Sequence, residues 1–462
     1  WWFTEPPINK LGDTIYHCTI LSPAIAMHLK SISVTKLHGA LTLDVDFYPD
    51  VTLLVGINGS GKTSALNCIE VLLRPDLLRL ATLEYDRLAL TFQSQESDYT
   101  LTAIKNSKRV TLSIAGTPEK LSPITIDLVH EIDPDDDEAT EQYARLSPEP
   151  HERPMWELLK SLPRPIVISL DRTIAAETDE LVFFEGSRPV APRRTRLRSP
   201  LAYVQDVTAA AYAAYRKRAI AADDELKAEI VMSALQQPDF LSGGKSMKPL
   251  TNAELSRLEE KVVSYLSNTV KTADVARQVR SFFKVNSQLA SRPNREKPQQ
   301  DLVLDILGSR YRQIESLAKA FNNYEKKNAT AFRKLNDYLE TINQFFRDSS
   351  KELFFEESTG RLVFSFLRDG VRTETRRGVK HLSSGERQLL ILFSFLAFAS
   401  TRSTVFIVDE PELSLHPKWQ HEFMDAFLRL KPNGAQLLLA THSPEIVGKH
   451  RNSCISLRRN GN

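Results

Sequence analysis

The sequence predicts an α/β fold: a mixed sheet with an antiparallel sub-sheet, divided by a large helical, coiled-coil insertion. Three observations predict it. Short apolar, β-branched runs with the character of buried strands lie near both ends of the chain, "VTLLVG" from Val51, "VFIV" from Val405 and "AQLLLAT" from Ala435. Between residues 80 and 130, stretches such as "RLALTFQ" and "RVTLSIAG" alternate apolar and polar residues, as antiparallel strands do. Finally, Ile314, Leu317, Phe321, Tyr324, Asn328, Ala331, Leu335, Tyr338, Ile342 and Phe345 recur at spacings of three and four, a heptad seam.

At 462 residues the chain exceeds the size at which a single core stops growing. The expected division is an extension over 1–26, one half of the sheet domain over 27–185, a helical insertion with a basic linker over 186–350, and the second half over 351–462. Apolar residues make up 42% and charged residues 26%, as in ordinary globular chains. The net charge of +2 confines any nucleic-acid surface to a local patch. Cys18, Cys68 and Cys454 follow no CxxC spacing, which suggests neither a disulfide framework nor a zinc site and fits a reducing, cytoplasmic setting. "LLILFSFLAFAS", from Leu389, is shorter than the roughly 20 residues of a bilayer span and reads as a buried helix, so no membrane association is expected. Ala24 and Ala26 have the small-residue pattern of a signal cleavage site, but Asp13 and Pro23 interrupt any hydrophobic region before them.

The element after the first strand is a phosphate loop. Gly56 to Thr63, "GINGSGKT", matches G-x-x-x-x-G-K-[ST] in full, and Leu66, Ile69, Val71 and Leu72 continue it as a helix. Its glycines let backbone N–H groups turn in around phosphate oxygens, and the helix N-terminus adds partial positive charge. Asn58, Gly59, Ser60, Gly61, Lys62, Thr63 and Ser64 are therefore candidate nucleotide-binding residues. Lys62 would reach the β- and γ-phosphates of ATP, and the Thr63 hydroxyl would ligate Mg²⁺. A chance match in a glycine-rich turn would lack both flanking elements.

The strand from Val405 ends at Asp409 and Glu410, at the carboxyl edge where open α/β sheets bind ligands. Asp409 is the candidate Mg²⁺ ligand and Glu410 the candidate general base for an attacking water. The bland alternative is two solvated acids opening a turn before Pro411. Two stretches compete as a loop that would cap a second nucleotide. "LSGGK", Leu241 to Lys245, is soon followed by Pro249, whereas "LSSGERQ", Leu382 to Gln388, opens directly onto the apolar helix. The second is preferred; Ser384, Gly385 and Glu386 then sit at a helix N-terminus as candidate γ-phosphate contacts. His442 follows the third strand. A lone histidine there is more often structural, but its place among the other motifs makes it a candidate γ-phosphate sensor.

In this order, GINGSGKT, LSSGERQ, VFIVDEPE, ELSLHP and THSP resemble the Walker A, signature, Walker B, D-loop and histidine-switch elements of ABC-type P-loop ATPase heads of the RecF, SMC and OLD-like class. The resemblance covers roughly residues 27–73 and 378–457. Within the class the chain is similar to the ATPase subunit of the Septu antiphage defence system, which is also found with some retrons. That resemblance implies a homodimer or higher oligomer with shared ATP·Mg²⁺ sites, a separate HNH nuclease partner, and a chain starting near Met27. In the turn Thr35 to Ala40, His38 stands where the class usually has arginine, which bears on contacts to the base.

Between the two halves, "EIDPDDDEATE" reads as a solvated acidic loop rather than a metal site. Two positions compete for a lid-sensing loop, Asp171 with Arg172 after "PIVISL", and Gln93 after "LALTF". Arg188 to Arg198 contains five arginines and no acid, a basic arm suited to DNA or RNA phosphates or, equally, a solvated linker. Thr251 opens a capping box, with Leu255, Leu258, Val262 and Leu266 at helical spacing behind it. The seam from Ile314 to Phe345 corresponds to about 48 Å of helix, half of a helical arm or a dimer contact, with Asn328 setting register. "KELFFEESTGRLVFSF" reads as a hairpin around Thr359-Gly360. No His-Asn-His constellation is visible, so any nucleic-acid cleavage falls to another polypeptide. The alternative to nuclease regulation is a RecF- or SMC-like DNA-binding ATPase of repair or genome maintenance; a transporter ATPase is a third reading, without a membrane-coupling feature to support it.

Overall fold

The computed structural model describes residues 27–73, 77–94, 96–128, 143, 146–168, 174–175, 200–235, 252–269, 277, 279–284, 297–399 and 405–457. The 1–26 extension, the acidic run, Asp171 with Arg172, the Arg188–Arg198 arm, the Leu241–Lys245 loop and Thr251 lie outside them. Contacts divide the chain into Trp1–Thr208 with Tyr338–Asn462, and Ala209–Asp337.

The first unit is a mixed α/β structure built on two six-stranded sheets and one three-stranded sheet. One sheet is antiparallel, with strands β1 (Met27–Leu37), β2 (Leu41–Asp46), β4 (Arg87–Ser94), β5 (Ser97–Lys105), β6 (Arg109–Ala115) and β7 (Ile124–Asp127) in the order β2-β1-β4-β5-β6-β7. This is the sub-sheet expected from the alternating stretches. In β1 burial passes from Met27 and Leu29 to Ile32 and Val34, because a register shift between Leu29 and Ser31 changes the phase of the alternation, and Leu37 is buried at its end. The other sheet has the order β15-β3-β14-β13-β8-β9, from β3 (Val51–Val55), β8 (Ile166–Ile168), β9 (Ile174–Ala175), β13 (Val405–Asp409), β14 (Gln436–Thr441) and β15 (Cys454–Ser456). All its pairings are parallel except β8 with β9. Strands buried on both faces read as continuous apolar runs, which is why "VFIV" and "QLLLA" carry no alternation.

Helix α1 (Lys62–Leu73) joins the two sheets through a shared core, burying Ala65, Leu66, Ile69 and Leu72 with Leu54, Leu90, Leu101 and Leu438. Gln436 adds a polar tie. Fully buried on β14, its amide donates to the carbonyls of Leu29 and Tyr48 at 2.8 and 2.9 Å and accepts the Leu29 N–H at 2.7 Å. Gln436→Leu strands those backbone groups away from water, and should lower stability by at least about 2 kcal/mol in urea titration.

Shorter helices α2 (Leu77–Thr82) and α3 (Arg153–Ser161) flank the antiparallel sheet, and α4 (Pro200–Leu235) leads into the second unit. There, α4 runs with α5 (Asn252–Thr269) and α6 (Lys297–Phe346), which returns to the first unit. The heptad seam is the inner face of α6: in the second unit Ile314 and Phe321 pack with Leu226 of α4 and Leu255 and Leu258 of α5. Tyr265 meets Phe321 and Tyr324 edge-on and donates its hydroxyl to Asp223. This part of the seam is thus met by the chain's own helices. The helix begins at Lys297, well before the periodic stretch, and spans about 75 Å by its rise.

After α6 come β10 (Lys351–Phe355) and β11 (Leu362–Arg368), the expected hairpin, and a third strand, β12 (Val371–Gly378). The apolar run forms α7 (Ser384–Ser394), continued by a π-helical turn, Phe395–Ala399. It is a buried helix: Phe393 lies within 6.0 Å of the Phe345, Phe423 and Phe427 rings, the latter two on α8 (Pro417–Leu430). Among the described residues no helix is long and apolar enough to cross a membrane.

Candidate functional site

The strand order creates the site. β14 lies between β3 and β13, so the loop after β3, the acids after β13 and the histidine after β14 leave one sheet edge side by side.

The loop after β3 turns on glycines with positive φ, Gly59 at 78° and Gly61 at 95°. The φ of Gly61 demands glycine there, and a Cβ would also press on the Leu41 methyl 2.7 Å away. Ser60 and Lys62 are buried, while Asn58 and Gly59 are exposed and Thr63 and Ser64 half-buried. The Lys62 ammonium, on a residue only 4% exposed, donates to the carbonyls of Gly56 and Ile57 at 3.0 and 3.2 Å. Burial lowers its proton affinity, an effect opposed by the nearby Glu410, Asp409 and Glu412 carboxylates.

Asp409 ends β13 and is 8% exposed. Burial raises its pKa above the usual carboxylate range, against a hydrogen bond from Thr63 that lowers it; Glu410 raises it further. Its Oδ1 is buried and has no hydrogen-bond partner. An ionised carboxylate with an unsatisfied oxygen beside a threonine hydroxyl fits a hard divalent cation, whose charge offsets the cost of burial. Thr63 and Asp409 therefore suit Mg²⁺.

Glu410 adopts φ 48°, unusual for a non-glycine residue and the kind of backbone found at functional turns. Its N–H donates to Ala440 of the neighbouring strand at 2.9 Å. Its carboxylate lies 3.4 Å from His442 Nε2, and His442 Nδ1 lies 3.5 Å from Lys62 Nζ. Because an ammonium can only donate, a hydrogen bond from Lys62 to Nδ1 requires the tautomer with its proton on Nε2, facing Glu410. One imidazole thus bridges the phosphate-loop lysine and the candidate base. Lys62, Thr63, Asp409, Glu410 and His442 come together as the sequence indicated.

The loop ahead of α7 does not join them. Ser383 caps α7 in a capping box with Glu386, leaving Ser384 exposed in the first turn. Gly385 is buried, and a Cβ there would lie 2.5 Å from the Ser414 carbonyl, so the helix start is pressed against the turn after Glu410. Among the described residues no contact links Ser384 or Gly385 to the Lys62 cluster. Glu386 turns inward, where its carboxylate is held by its own subunit. Its side chain, 1% exposed, accepts from Lys351 at 2.8 Å, from Ser349 at 2.6 Å and from the Ser383 N–H at 2.8 Å. Burial would push its pKa up, but these contacts together hold it below the usual glutamate value. A depressed folded pKa contributes stability above the unfolded value, lost as pH falls through the folded one. Lys351→Met should therefore cost about 3 kcal/mol at pH 7 in denaturant titration, and the gap from wild type should narrow in acid.

His38 sits at φ 49° in an exposed turn. Gln93 lies on β4 opposite Asp98 and His28. The residue that sequence reasoning passed over is Glu412, whose carboxylate accepts the His442 N–H at 2.6 Å. Its only signal was its place in "DEPE".

Residues 259–448 match the family described as AAA domain, putative AbiEii toxin, Type IV TA system. The match spans the signature, acidic and histidine segments and does not include the phosphate loop. UvrABC system protein A of Chlamydia trachomatis (serovar D) is 34% identical over 71 residues, 15% of this chain and 4% of that protein. Its Chlamydia muridarum counterpart is 31% identical over 71 residues, with the same shares. The matched stretch thus spans only 4% of the length of these curated relatives. Among solved structures, the Smc head domain with an extended coiled coil from Pyrococcus furiosus, bound to the C-terminal domain of ScpA, is 13% identical, with 94% of each chain covered and a TM-score of 0.36. The Smc head domain with a coiled coil and joint from Pyrococcus yayanosii is 12% identical, covering 94% of this chain and 96% of that one, at a TM-score of 0.36. The phosphate-loop sequence, Gly56 to Thr63, lies ahead of the matched residues, which contain the signature, acidic and histidine segments in that order.

Proposed function

We propose that the chain is an ABC-type ATPase that closes as a dimer around ATP·Mg²⁺, hydrolyses it, and regulates a separate HNH-type nuclease in antiphage defence. The observation that carries the ATPase reading is the His442 bridge between Lys62 and Glu410, beside the unsatisfied Asp409 oxygen. On nucleotide binding, the Lys62 ammonium exchanges its loop carbonyls for β- and γ-phosphate oxygens, and the first-turn N–H groups of α1 hold the phosphates. Thr63 and Asp409 would hold magnesium, which would supply positive charge against those oxygens. Glu410 takes a proton from the attacking water; the new O–P bond forms on the γ-phosphorus as its bond to the bridging oxygen breaks, giving ADP and phosphate. His442 holds Glu410 and senses the γ-phosphate.

The dimer is supported by what lies outside the cluster. Ser384, in the first turn of α7, is exposed, and apolar Ile57 and Leu413 beside the site are 82% and 40% exposed. A second copy bringing Ser384 and Gly385 to the γ-phosphate would cover them. Hydrolysis removes that bridge, which makes dimer closure a nucleotide-biased switch.

The nuclease partner is supported by the motif resemblance alone. Affinity purification from the native host tests it: a small nuclease at stoichiometric yield is expected. The five arginines of Arg188–Arg198 favour the second reading, a RecF- or SMC-like DNA-binding ATPase. In that case the isolated chain binds DNA with strong salt dependence, lost when those arginines are removed.

A further inference from the structure

We propose that Glu412 is a positioning residue that sets His442 in register between Lys62 and Glu410, and so controls turnover without controlling nucleotide affinity. This deepens the ATPase reading and rests on it. Glu412 stands in the turn after β13, between two left-handed residues, Glu410 at φ 48° and Ser414 at φ 66°. The turn is closed by the Leu413 N–H on the Glu410 carbonyl and the Leu415 N–H on the Glu412 carbonyl. It is a stiff platform from which the Glu412 side chain crosses to the adjoining loop. One carboxylate oxygen takes the His442 backbone N–H at 2.6 Å, a short, charge-assisted bond.

A parallel brace acts one residue on. Gln420 of α8 donates to the Leu415 carbonyl at 3.0 Å and accepts the Ser443 hydroxyl at 2.7 Å. The histidine loop is therefore moored to the acidic turn at two successive residues. The ring itself has no such margin. Its two nitrogens lie 3.5 Å from Lys62 and 3.4 Å from Glu410, at the outer edge of hydrogen bonding, so a small backbone shift breaks both.

The second oxygen of Glu412 is buried and has no hydrogen-bond partner. A carboxylate kept for stability alone would not carry that cost, because a neutral side chain would fill the space more cheaply. Its negative charge, though favourable toward Lys62, also repels the buried Asp409 carboxylate. Both features mark a group retained for what it holds.

The test combines turnover, nucleotide affinity and the His442 amide. In E412A, phosphate release should fall about 30- to 100-fold, the scale of a misplaced catalytic group, while the dissociation constant of a fluorescent ATP analogue moves less than about threefold. E412Q keeps an oxygen able to accept the N–H and should recover turnover to within about fivefold of wild type. On an H442A background, E412A should cost less than about twofold more, since its effect passes through the histidine. Equal losses on both backgrounds, affinity falling in step with turnover, or E412Q no better than E412A would each overturn the proposal. If E412A does not fold, E412D withdraws the carboxylate by one methylene and carries the same comparison. The ¹⁵N-histidine amide spectrum reads the clamp without any turnover: the His442 N–H should resonate downfield in wild type and E412Q and move upfield in E412A. A wild-type chain that binds no ATP counts against the ATPase reading, and the amide shift then decides the clamp alone; an unchanged amide in E412A sinks it.

Discussion

Glu410→Gln should bind ATP normally, hydrolyse it at least about a hundredfold more slowly, and accumulate as an ATP-dependent dimer. Gln has the same shape, keeps an oxygen that accepts the His442 Nε2 proton, and leaves the backbone bond to Ala440 intact. The groups proposed to hold the nucleotide, Lys62, Thr63 and Asp409, are unchanged. What disappears is a carboxylate that can take a proton from water. Phosphate release measures the first effect and light scattering after gel filtration the second. A variant that stays monomeric with unchanged turnover would refute both the base assignment and the shared site.

Lys62→Ala should weaken nucleotide binding by about a hundredfold, measured by titration with a fluorescent analogue. The lysine is the cation facing Asp409, Glu410 and Glu412, and burial has already lowered its own preference for charge. Truncation leaves three carboxylates around the place proposed for polyphosphate, so repulsion adds to the lost charge-assisted bonds. His442 also loses the donor on Nδ1, which frees the ring and should slow any residual turnover.

The reach of the sequence follows how local each signal is. The phosphate loop and the acidic pair are contiguous stretches in which residue type and spacing state the chemistry, and their strands could be recognised from four or five apolar residues. Their convergence was legible only as a consequence of motif order; the register of β3, β14 and β13 supplies it in space. Glu386 illustrates the limit. Its place after a serine pair suggests a ligand contact, yet the same spacing makes a capping box, and Lys351 and Ser349 complete the burial. No pattern in "LSSGERQ" announces those two partners. Glu412 failed to stand out for the same reason, since its partner is a backbone N–H on another strand's loop. The heptad seam gave the buried face of α6 but not what covers it, because α4 is alanine-rich with weak periodicity of its own and the apolar spacing of α5 names no partner.

The tie between Leu29 and Gln436 joins residues 407 positions apart, and β3 pairs only with strands from that same distant end. A ribosome adding about 5–20 residues per second needs roughly 20–80 s to supply those partners after the phosphate-loop strand has emerged. Throughout that interval "VTLLV" is an unpaired, sticky edge. Nascent chains should therefore depend on chaperones until late in synthesis, and messages truncated within the helical region should yield insoluble product instead of a nucleotide-binding fragment.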